Sequence, residues 1–182
     1  MRTLSSFLFI SLDGVVESPD QWQFDHFDED MGAAMAQTLD AQDAVLMGRT
    51  TYDEWAGYWP TSTDEPFASY INNVPKYVVS DSLDSADWEN TTVVRGADLA
   101  ARIAELKAAP GKTIGVAGSP TLVRSLIDQD LLDELFLAIH PVVAGSGARL
   151  FVDGDPRRRF DLAESTTTAT GVTLARFRPR RD

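Results

Sequence analysis

The chain alternates short apolar runs with segments in which apolar residues recur at helical spacing. The apolar runs are rich in β-branched and aromatic residues, which is typical of buried strands. They are "TLSSFLFISL", "DAVLMG", "KYVVS", "TTVVRG", "TIGVAG" and "DELFLAIHPVV", and helical patterns occupy residues 28–39, 97–108 and 119–129. This order predicts an α/β fold, with helices on the faces of a central sheet, as one domain over residues 1–182.

The C-terminal part departs from this alternation. In "RRFDLAESTTTATGVTLARFRP" two strand-like segments flank the turn residue Gly171, which predicts an antiparallel hairpin at one side of the sheet. The sheet is therefore expected to be mixed. Residues 60–67, "PTSTDEPF", indicate an exposed loop.

The composition of the chain excludes several classes of function. The formal net charge of -12 opposes binding to nucleic acid or to anionic lipid, since both require neutralisation of negative charge. The chain has no cysteine and two histidines, which removes thiolate chemistry and argues against a zinc site, so we expect no metal. Its apolar runs are too short for a membrane span or a signal peptide, which predicts a cytoplasmic protein.

Residues 113–127, "TIGVAGSPTLVRSLI", indicate a strand that turns into an amphipathic helix. Gly118 allows a sharp turn and the close approach of a ligand, Ser119 is a favoured N-cap residue, and Pro120 suits the first helical position. Such a helix start offers N–H groups and a partial positive charge to an anion. A well-capped helix without a ligand explains the same residues, and the usual G-x-G-x-x-G fingerprint is absent.

A second junction of this design lies in "AVLMGRTTYDEW". The strand ends at Gly48, and Arg49 adds a fixed cation with a planar fork of donors. Thr51 and Glu54 have the spacing of a capping box for the helix that follows. A phosphate suits this combination, and two such junctions on one sheet can clamp a pyrophosphate.

Five segments, in this order, resemble the dihydrofolate reductase-like proteins: "SLDG" at 11–14, "MGRTTYDEW" at 47–55, "KYVVS" at 76–80, "VAGSPTLVRSLI" at 116–127 and "LLDELFLAIHPVVAGSGARLF" at 131–151. The likeness is strongest to stand-alone relatives of the reductase domain of the bifunctional riboflavin-biosynthesis enzyme, and it covers nearly the whole chain. The resemblance implies a mixed, mainly parallel sheet and a reduced nicotinamide cofactor, usually NADPH, across the carboxyl ends of the strands. It also implies a homodimer.

The resemblance further implies which residues meet the cofactor. Phosphates would lie against Gly48, Arg49, Thr50 and Thr51, the adenosine ribose near Ser80, and the pyrophosphate and nicotinamide against Gly118, Ser119, Pro120, Thr121 and Leu122. Asp81 stands where a basic residue often holds the 2′-phosphate, and its carboxylate would repel that group, although Arg95 can compensate. We expect NADPH to be preferred, with NADH as the alternative.

Hydride transfer needs a site that excludes water and a proton source beside the reduced carbon. The resemblance places two aromatic segments at the mouth of the cleft, and Trp22 and Trp59 are the candidates for substrate contact, with core packing as the alternative. Asp13 and His26 are the candidates for catalysis. The Asp that matches Asp13 lies close to substrate in riboflavin-type relatives, and an imidazole titrates near neutral pH. A turn aspartate and a solvated histidine are the structural alternatives.

Three functions remain open. The first is an NAD(P)H-dependent reductase of a small heterocyclic or carbonyl-bearing molecule, pyrimidine- or pterin-like as in riboflavin synthesis. The second is a cofactor- or ligand-binding protein of the same fold without turnover. The third is a true dihydrofolate reductase, whose first helix carries a carboxylate where this chain has Gly32, with Asp28, Glu29 and Asp30 nearby. The deaminase half of the riboflavin enzyme needs cysteine ligands that this chain lacks.

Overall fold

The computed structural model describes residues 1–181, which form a single eight-stranded sheet. The strands are Leu4–Ile10 (β1), Gln42–Gly48 (β2), Lys76–Val79 (β3), Thr91–Val94 (β4), Thr113–Val116 (β5), Glu134–Ile139 (β6), Phe160–Thr167 (β7) and Thr173–Pro179 (β8). Their order across the sheet is β4, β3, β2, β5, β1, β6, β8, β7. Strands β1 to β6 are parallel, and β8 runs antiparallel to both β6 and β7.

Helices cover both faces of the sheet. They are Glu29–Asp40 (α1), Arg49–Ala56 (α2), Phe67–Asn73 (α3), Leu99–Ala108 (α4) and Pro120–Asp128 (α5). Short 3-10 turns lie at Pro19–Gln21, Phe24–His26, Trp59–Thr61 and Gly96–Asp98. Apolar residues of α4 and α5 share one core with the aliphatic side chains of β1, β5 and β6, whereas α1 packs over the phenylalanines of β1 and β6, and α2 and α3 pack over β2 and β3.

The predicted mixed, mainly parallel sheet and its C-terminal hairpin are confirmed. The helices expected over 28–39, 97–108 and 119–129 correspond to α1, α4 and α5. The sequence pattern does not predict α3, because its seven residues are too few to show a helical period. The exposed loop expected over 60–67 is shorter, since a 3-10 turn extends to Thr61 and α3 begins at Phe67.

A buried lysine fixes the end of α3. The side chain of Lys76 is fully buried at the start of β3. Its Nζ donates to the carbonyl oxygens of Ile71 at 2.9 Å, Val74 at 3.0 Å and Asn72 at 3.4 Å, and it lies 4.7 Å from the ring centroid of Trp88. These carbonyls lie in the last turn of the helix and at its C-cap residue Val74, where a cation is favoured. The ammonium thus finds several acceptors within the protein.

The outer strand β7 is unlike the other seven. Seven of its eight residues are exposed, and Leu162 retains 57% of its accessible surface. Only β8 pairs with it over residues 1–181. Asp161 lies in an ion pair with Arg180, and Glu164 lies 3.6 Å from Arg176. This strand is therefore a charged edge of the sheet.

Candidate functional site

The two glycine junctions lie side by side at the carboxyl edge of the sheet. Because β2 and β5 are neighbouring parallel strands, Gly48 and Gly118 follow them at the same edge, and the Gly48 N–H donates to the Gly118 carbonyl at 2.8 Å. A Cβ atom on Gly48 would lie 2.8 Å from Ser119 Oγ and 3.2 Å from Ser119 N. Only glycine at position 48 lets the junctions approach this closely.

The start of α2 differs from the prediction. The helix begins at Arg49 with Gly48 as its N-cap residue, and no side chain accepts a hydrogen bond there. The predicted capping box is therefore wrong. Thr51 lies inside the first turn and is buried because its Oγ1 faces the other junction, 3.1 Å from the position of a Cβ on Gly118. The first N–H groups of α2, on Arg49, Thr50 and Thr51, have no side-chain cap.

The start of α5 follows the prediction. Ser119 is the N-cap residue, its hydroxyl accepts from the Leu122 N–H at 3.4 Å, and Pro120 stands at the start of the helix. Gly118 has a φ of 120°, a conformation that favours glycine, and its peptide bond to Ser119 is cis. Thr121 accepts from Arg124 at 3.3 Å on the exposed side. The backbone turn of this junction is thus formed by the residues that the sequence indicates.

Two guanidinium groups flank the turn after β3. Arg49 Nε donates to both carboxylate oxygens of Asp53, at 2.7 and 2.8 Å, and its Nη1 lies 3.4 Å from Ser82 Oγ. Arg95 Nη1 donates to the Ser80 carbonyl at 3.2 Å. The buried Ser80 hydroxyl accepts from the Ser82 N–H at 3.2 Å and so shapes the turn. The carboxylate of Asp81 accepts from the backbone N–H of Gly96 at 2.8 Å.

Asp13 joins two loops beyond β1 and β6. Its carboxylate accepts from Ser11 Oγ at 2.6 Å and from the N–H groups of Ala144 and Gly145, each at 2.9 Å. Arg149 Nη2 lies 3.6 Å away, and its Nε donates to the Asp13 carbonyl at 2.8 Å. The hydrogen bond from Ser11, followed by those from the two backbone donors, lowers the pKa of Asp13 to about 2. Asp13 is accordingly ionised at neutral pH.

Three aromatic rings surround the ring of His140 at the carboxyl end of β6. The centroid of the His140 ring lies 5.4 Å from that of Trp22, 5.7 Å from Phe9 and 6.5 Å from His26. His26 Nδ1 donates to the Thr170 carbonyl at 3.1 Å. The sequence motifs do not indicate His140, although a polar residue at the end of an apolar run is a signal for it. The structure therefore brings two candidate residues, Trp22 and His26, to a histidine that the motifs do not indicate.

Trp59 belongs to a different cluster. It packs against Phe67, Tyr58 and Trp55, with centroid distances of 4.6, 5.0 and 6.2 Å. Its carbonyl accepts from Asn72 Nδ2 at 2.8 Å. Trp59 lies with the core between β2 and helices α2 and α3, whereas Trp22 lies at the end of β6.

The carboxylates near the start of α1 hold the tip of the β7–β8 hairpin. Asp28 is the N-cap residue, accepting from the Met31 N–H at 2.9 Å, and it also accepts from the N–H of Thr170 at 2.9 Å and its hydroxyl at 2.8 Å. Asp30 accepts from the Ala169 N–H at 3.1 Å. The hydrogen bond from Met31 is the largest cause that lowers the pKa of Asp28 to about 2. Both carboxylates thus have structural partners.

The described helices include none with the length and apolar character that crossing a bilayer requires. Within residues 1–181, no group of three or more histidine, aspartate or glutamate side chains is arranged to hold a metal ion.

Comparison with known proteins gives a family and a group of similar folds. The model of the RibD C-terminal domain matches residues 2–174. The chain is 31% identical over 172 residues to the uncharacterized protein YyaP of Bacillus subtilis (strain 168), a match that covers 91% of this chain and 88% of that protein.

Three solved structures share the architecture. The putative riboflavin biosynthesis protein from Shewanella sp. PV-4 is 21% identical with a TM-score of 0.74, and the match covers 98% of this chain and 99% of that chain. Dihydrofolate reductase from Enterococcus faecalis, complexed with NADP(H), is 12% identical with a TM-score of 0.65, covering 98% and 97%. The diaminohydroxyphosphoribosylaminopyrimidine deaminase/5-amino-6-(5-phosphoribosylamino)uracil reductase of Thermotoga maritima is 13% identical with a TM-score of 0.68, covering 98% of this chain and 57% of that one. The fold is therefore dihydrofolate reductase-like.

Proposed function

Since this chain belongs to the RibD C-terminal domain family, we propose that it is a nicotinamide-dependent reductase that transfers hydride to a small heterocyclic or carbonyl-bearing molecule. One observation carries the proposal: the contact between Gly48 and the Gly118–Ser119 junction, which places an uncapped helix start beside a tight backbone turn. Such a start attracts phosphate through its N–H groups and its partial charge.

The residues present suit a dinucleotide. A side chain on Gly48 would fill the space between the two junctions. Because this residue is glycine, a phosphate can approach the backbone N–H groups there. We propose that phosphates lie against Gly48, Arg49, Thr50 and Thr51, and that Gly118, Ser119, Pro120, Thr121 and Leu122 support the pyrophosphate and nicotinamide, with Ser80 near the ribose. When bound, the cofactor supplies the hydride. The protein supplies orientation and a fixed positive potential.

We propose that NADPH is preferred over NADH. Arg49 and Arg95 stand on either side of the turn that contains Ser80, and both can reach a phosphate there. The Asp81 carboxylate is held by the Gly96 N–H, which offsets part of its repulsion. Replacing Arg95 with alanine is expected to lower NADPH affinity about tenfold and leave NADH affinity unchanged, as one charge-assisted hydrogen bond would require. Equal weakening of both cofactors, measured by titration, would contradict this role.

The substrate would lie beside Trp22, with Asp13 and His26 as the polar groups nearby. Of these two, His26 is the better proton source, because Asp13 is already ionised at neutral pH. His26 Nδ1 donates to the Thr170 carbonyl, so Nε2 carries a proton to release only when the ring is the doubly protonated imidazolium. Asp13 orders the loop at 144–145 through its hydrogen bonds, and it can accept a hydrogen bond from substrate. His26→Gln is expected to lower kcat and leave cofactor affinity intact.

The proposal is tested by titrating the purified protein with NADPH and NADH, following energy transfer from tryptophan to the reduced nicotinamide. Arg49→Ala should weaken NADPH binding about 10- to 100-fold, since it removes a charge-assisted contact. Arg102→Ala is the matched control, because Arg102 is also a half-exposed helical arginine paired with a carboxylate, Glu105, but lies on α4. Absence of binding, or equal effects of both variants, would refute the cofactor site.

A second candidate is a cofactor- or ligand-binding protein without turnover. Asp28 and Asp30 favour it over a true dihydrofolate reductase, because both carboxylates are engaged with the hairpin rather than available to a pterin. Oxidation of NADPH in the presence of pyrimidine, pterin and carbonyl acceptors separates the candidates, since only a reductase consumes the cofactor. The homodimer implied by the family resemblance is tested by light scattering on the eluting protein.

A further inference from the structure

His140 follows β6 directly and points toward the side of the sheet that carries α1. Side chains alternate along a strand, so His140 shares this face with Phe136 and Ala138, both of which pack in the core beneath α1. Its ring is fully buried. Its Nδ1 lies 2.9 Å from the Ala138 carbonyl oxygen.

The other ring nitrogen has no such partner. Nε2 of His140 is buried, and no group in residues 1–181 forms a hydrogen bond with it. An unsatisfied buried polar group costs about 1–3 kcal/mol, and folded proteins satisfy nearly all of them with protein, water or ligand. Lys76 shows the ordinary solution in this fold, because its buried ammonium reaches several backbone carbonyls.

The hydrogen bond to Ala138 decides which role Nε2 can take. A carbonyl oxygen only accepts, so Nδ1 carries the proton and Nε2 of the neutral ring presents a lone pair. Burial lowers the pKa of His140, with a smaller contribution from the nearby His26, and this keeps the ring neutral. Nε2 is therefore an acceptor that lacks a donor.

The Trp22 indole, which lies over the His140 ring, is held by few hydrogen bonds. Trp22 lies edge-on to its ring at an interplanar angle of 77°. The indole stands between the 3-10 turns Pro19–Gln21 and Phe24–His26, neither of which buries a residue. Its Nε1 donates to the Glu17 carbonyl at 3.3 Å, a long hydrogen bond. Within residues 1–181 the indole makes this one hydrogen bond and its ring contact with His140, so displacing it breaks a single weak hydrogen bond.

We propose that His140 Nε2 accepts a hydrogen bond from a ring N–H of a planar nitrogen heterocycle, which reaches it when the Trp22 indole moves aside. That this heterocycle is the molecule to be reduced rests on the proposed function. The aromatic rings of Phe9 and Trp22 supply flat apolar surface for such a ring. A site that accepts from an N–H group rejects the analogue in which that hydrogen is replaced by methyl, because the acceptor is then left unpaired and the methyl group occupies its place.

The probes are uracil and 1,3-dimethyluracil, which have the same ring but differ in their N–H donors. With only two histidines in the chain, ¹⁵N spectra of the imidazoles are assigned by comparison with His26→Gln. The unaltered protein should show His140 as the neutral Nδ1–H form, and uracil should shift its Nε2 resonance. Uracil should bind at least about tenfold more tightly than 1,3-dimethyluracil, as one hydrogen bond to a buried acceptor requires.

Two variants separate the acceptor from the shape of the ring. His140→Phe keeps a flat ring and should abolish the preference for uracil, whereas His140→Gln keeps an acceptor oxygen and should restore part of it. Thermal unfolding of each variant shows whether it is folded. An unchanged preference in folded His140→Phe, or no shift of Nε2 with uracil, overturns the proposal.

The NADPH titration of the unaltered protein is a separate test. Failure to bind NADPH would remove the proposed reductase function but leave the uracil result to stand on its own. Cofactor binding together with an unchanged Nε2 resonance would keep the reductase and remove the role of His140.

Discussion

The carboxyl edge of the sheet has two halves that hold polar groups in different ways. The half after β2, β3 and β5 is the proposed cofactor half, where backbone N–H groups and half-exposed arginines lie at the edge and glycine keeps the backbones close. The half after β1 and β6 is the proposed substrate half, where carboxylates are tied to distant loops and a buried histidine is bonded to a carbonyl of β6 itself. The first half is suited to a strongly charged ligand. The second is suited to a neutral, flat one.

The two halves differ in whether backbone groups or side chains determine which ligand binds. Backbone donors at a helix start recognise any phosphate, so the cofactor half depends on close packing more than on particular side chains. The substrate half depends on Asp13 and Asp28 to position loops, and the groups that remain for a ligand are few. Changes to the cofactor half should therefore alter affinity, and changes to the substrate half should alter loop order and selectivity.

The largest effect is expected from Gly48→Ala. The new methyl group would lie 2.8 Å from Ser119 Oγ and 3.2 Å from Ser119 N, so the two junctions must separate. We expect a loss of stability of about 1–3 kcal/mol and a loss of NADPH binding of at least tenfold. Gly32→Ala is the control, because its methyl group meets only Phe27 at 3.9 Å and lies within a helix, where alanine is favoured. Equal behaviour of the two variants would show that the junctions do not need to touch.

A smaller effect is expected from Asp28→Ala in the substrate half. This change removes the cap of α1 and the hydrogen bonds to Thr170, so Tm should fall and the hairpin tip should exchange its amide hydrogens faster. Glu29→Ala, which alters an exposed carboxylate in the first turn of the same helix, is the control. If amide exchange near Thr170 is unchanged in Asp28→Ala, the hydrogen bonds of Asp28 do not hold the hairpin tip.

Ser119→Ala should have a modest effect on stability, about 0.5–1 kcal/mol, because it removes one N-cap hydrogen bond that is already long. The backbone turn remains, so NADPH affinity should change less than in Gly48→Ala. Ser125→Ala in the middle of the same helix serves as the reference. Denaturant unfolding and cofactor titration measure the two effects separately.

The smallest effect concerns Asp13 and acid. Its pKa is lowered from 3.8 to about 2, so the folded protein binds this proton more weakly than the unfolded chain does. The stabilisation is therefore present above about pH 4 and is lost as the pH falls toward 2. Asp13→Asn should lower Tm at pH 7 and flatten its decline between pH 4 and 2. Parallel Tm curves for the two proteins would exclude this contribution.

The strand ends and helix starts of the proposed cofactor half could largely be predicted because their signals are local. "MGRTTYDEW" and "VAGSP" each contain a strand end, a turn and a helix start within a few residues, and the fold places them on neighbouring strands. The error at Thr51 is a shift of the helix start, since an extended Gly48 serves as the N-cap in its place.

The substrate half could not be predicted in this way. Asp13 meets Gly145 across 132 residues, and Asp28 meets Thr170 across 142. The position of His140 under Trp22 depends on the alternation of side chains between the two faces of β6. It also depends on how residues 19–26 fold over the His140 ring. No short motif encodes contacts at these separations, and Asp-Gly or a histidine among acids has equally good local explanations.

The outer strand β7 also bears on how the protein behaves at high concentration. An exposed edge strand presents unpaired backbone N–H and C=O groups with which a strand of a second molecule can pair. Such pairing is the first step of open-ended association. In an antiparallel meeting of two copies, Asp161 and Glu164 would be brought against the new strand together with their partners Arg180 and Arg176, so hydrated charged groups would have to be covered. We therefore expect these charged side chains to act as gatekeepers against open-ended association, so that replacing Asp161 and Glu164 with uncharged residues would favour it.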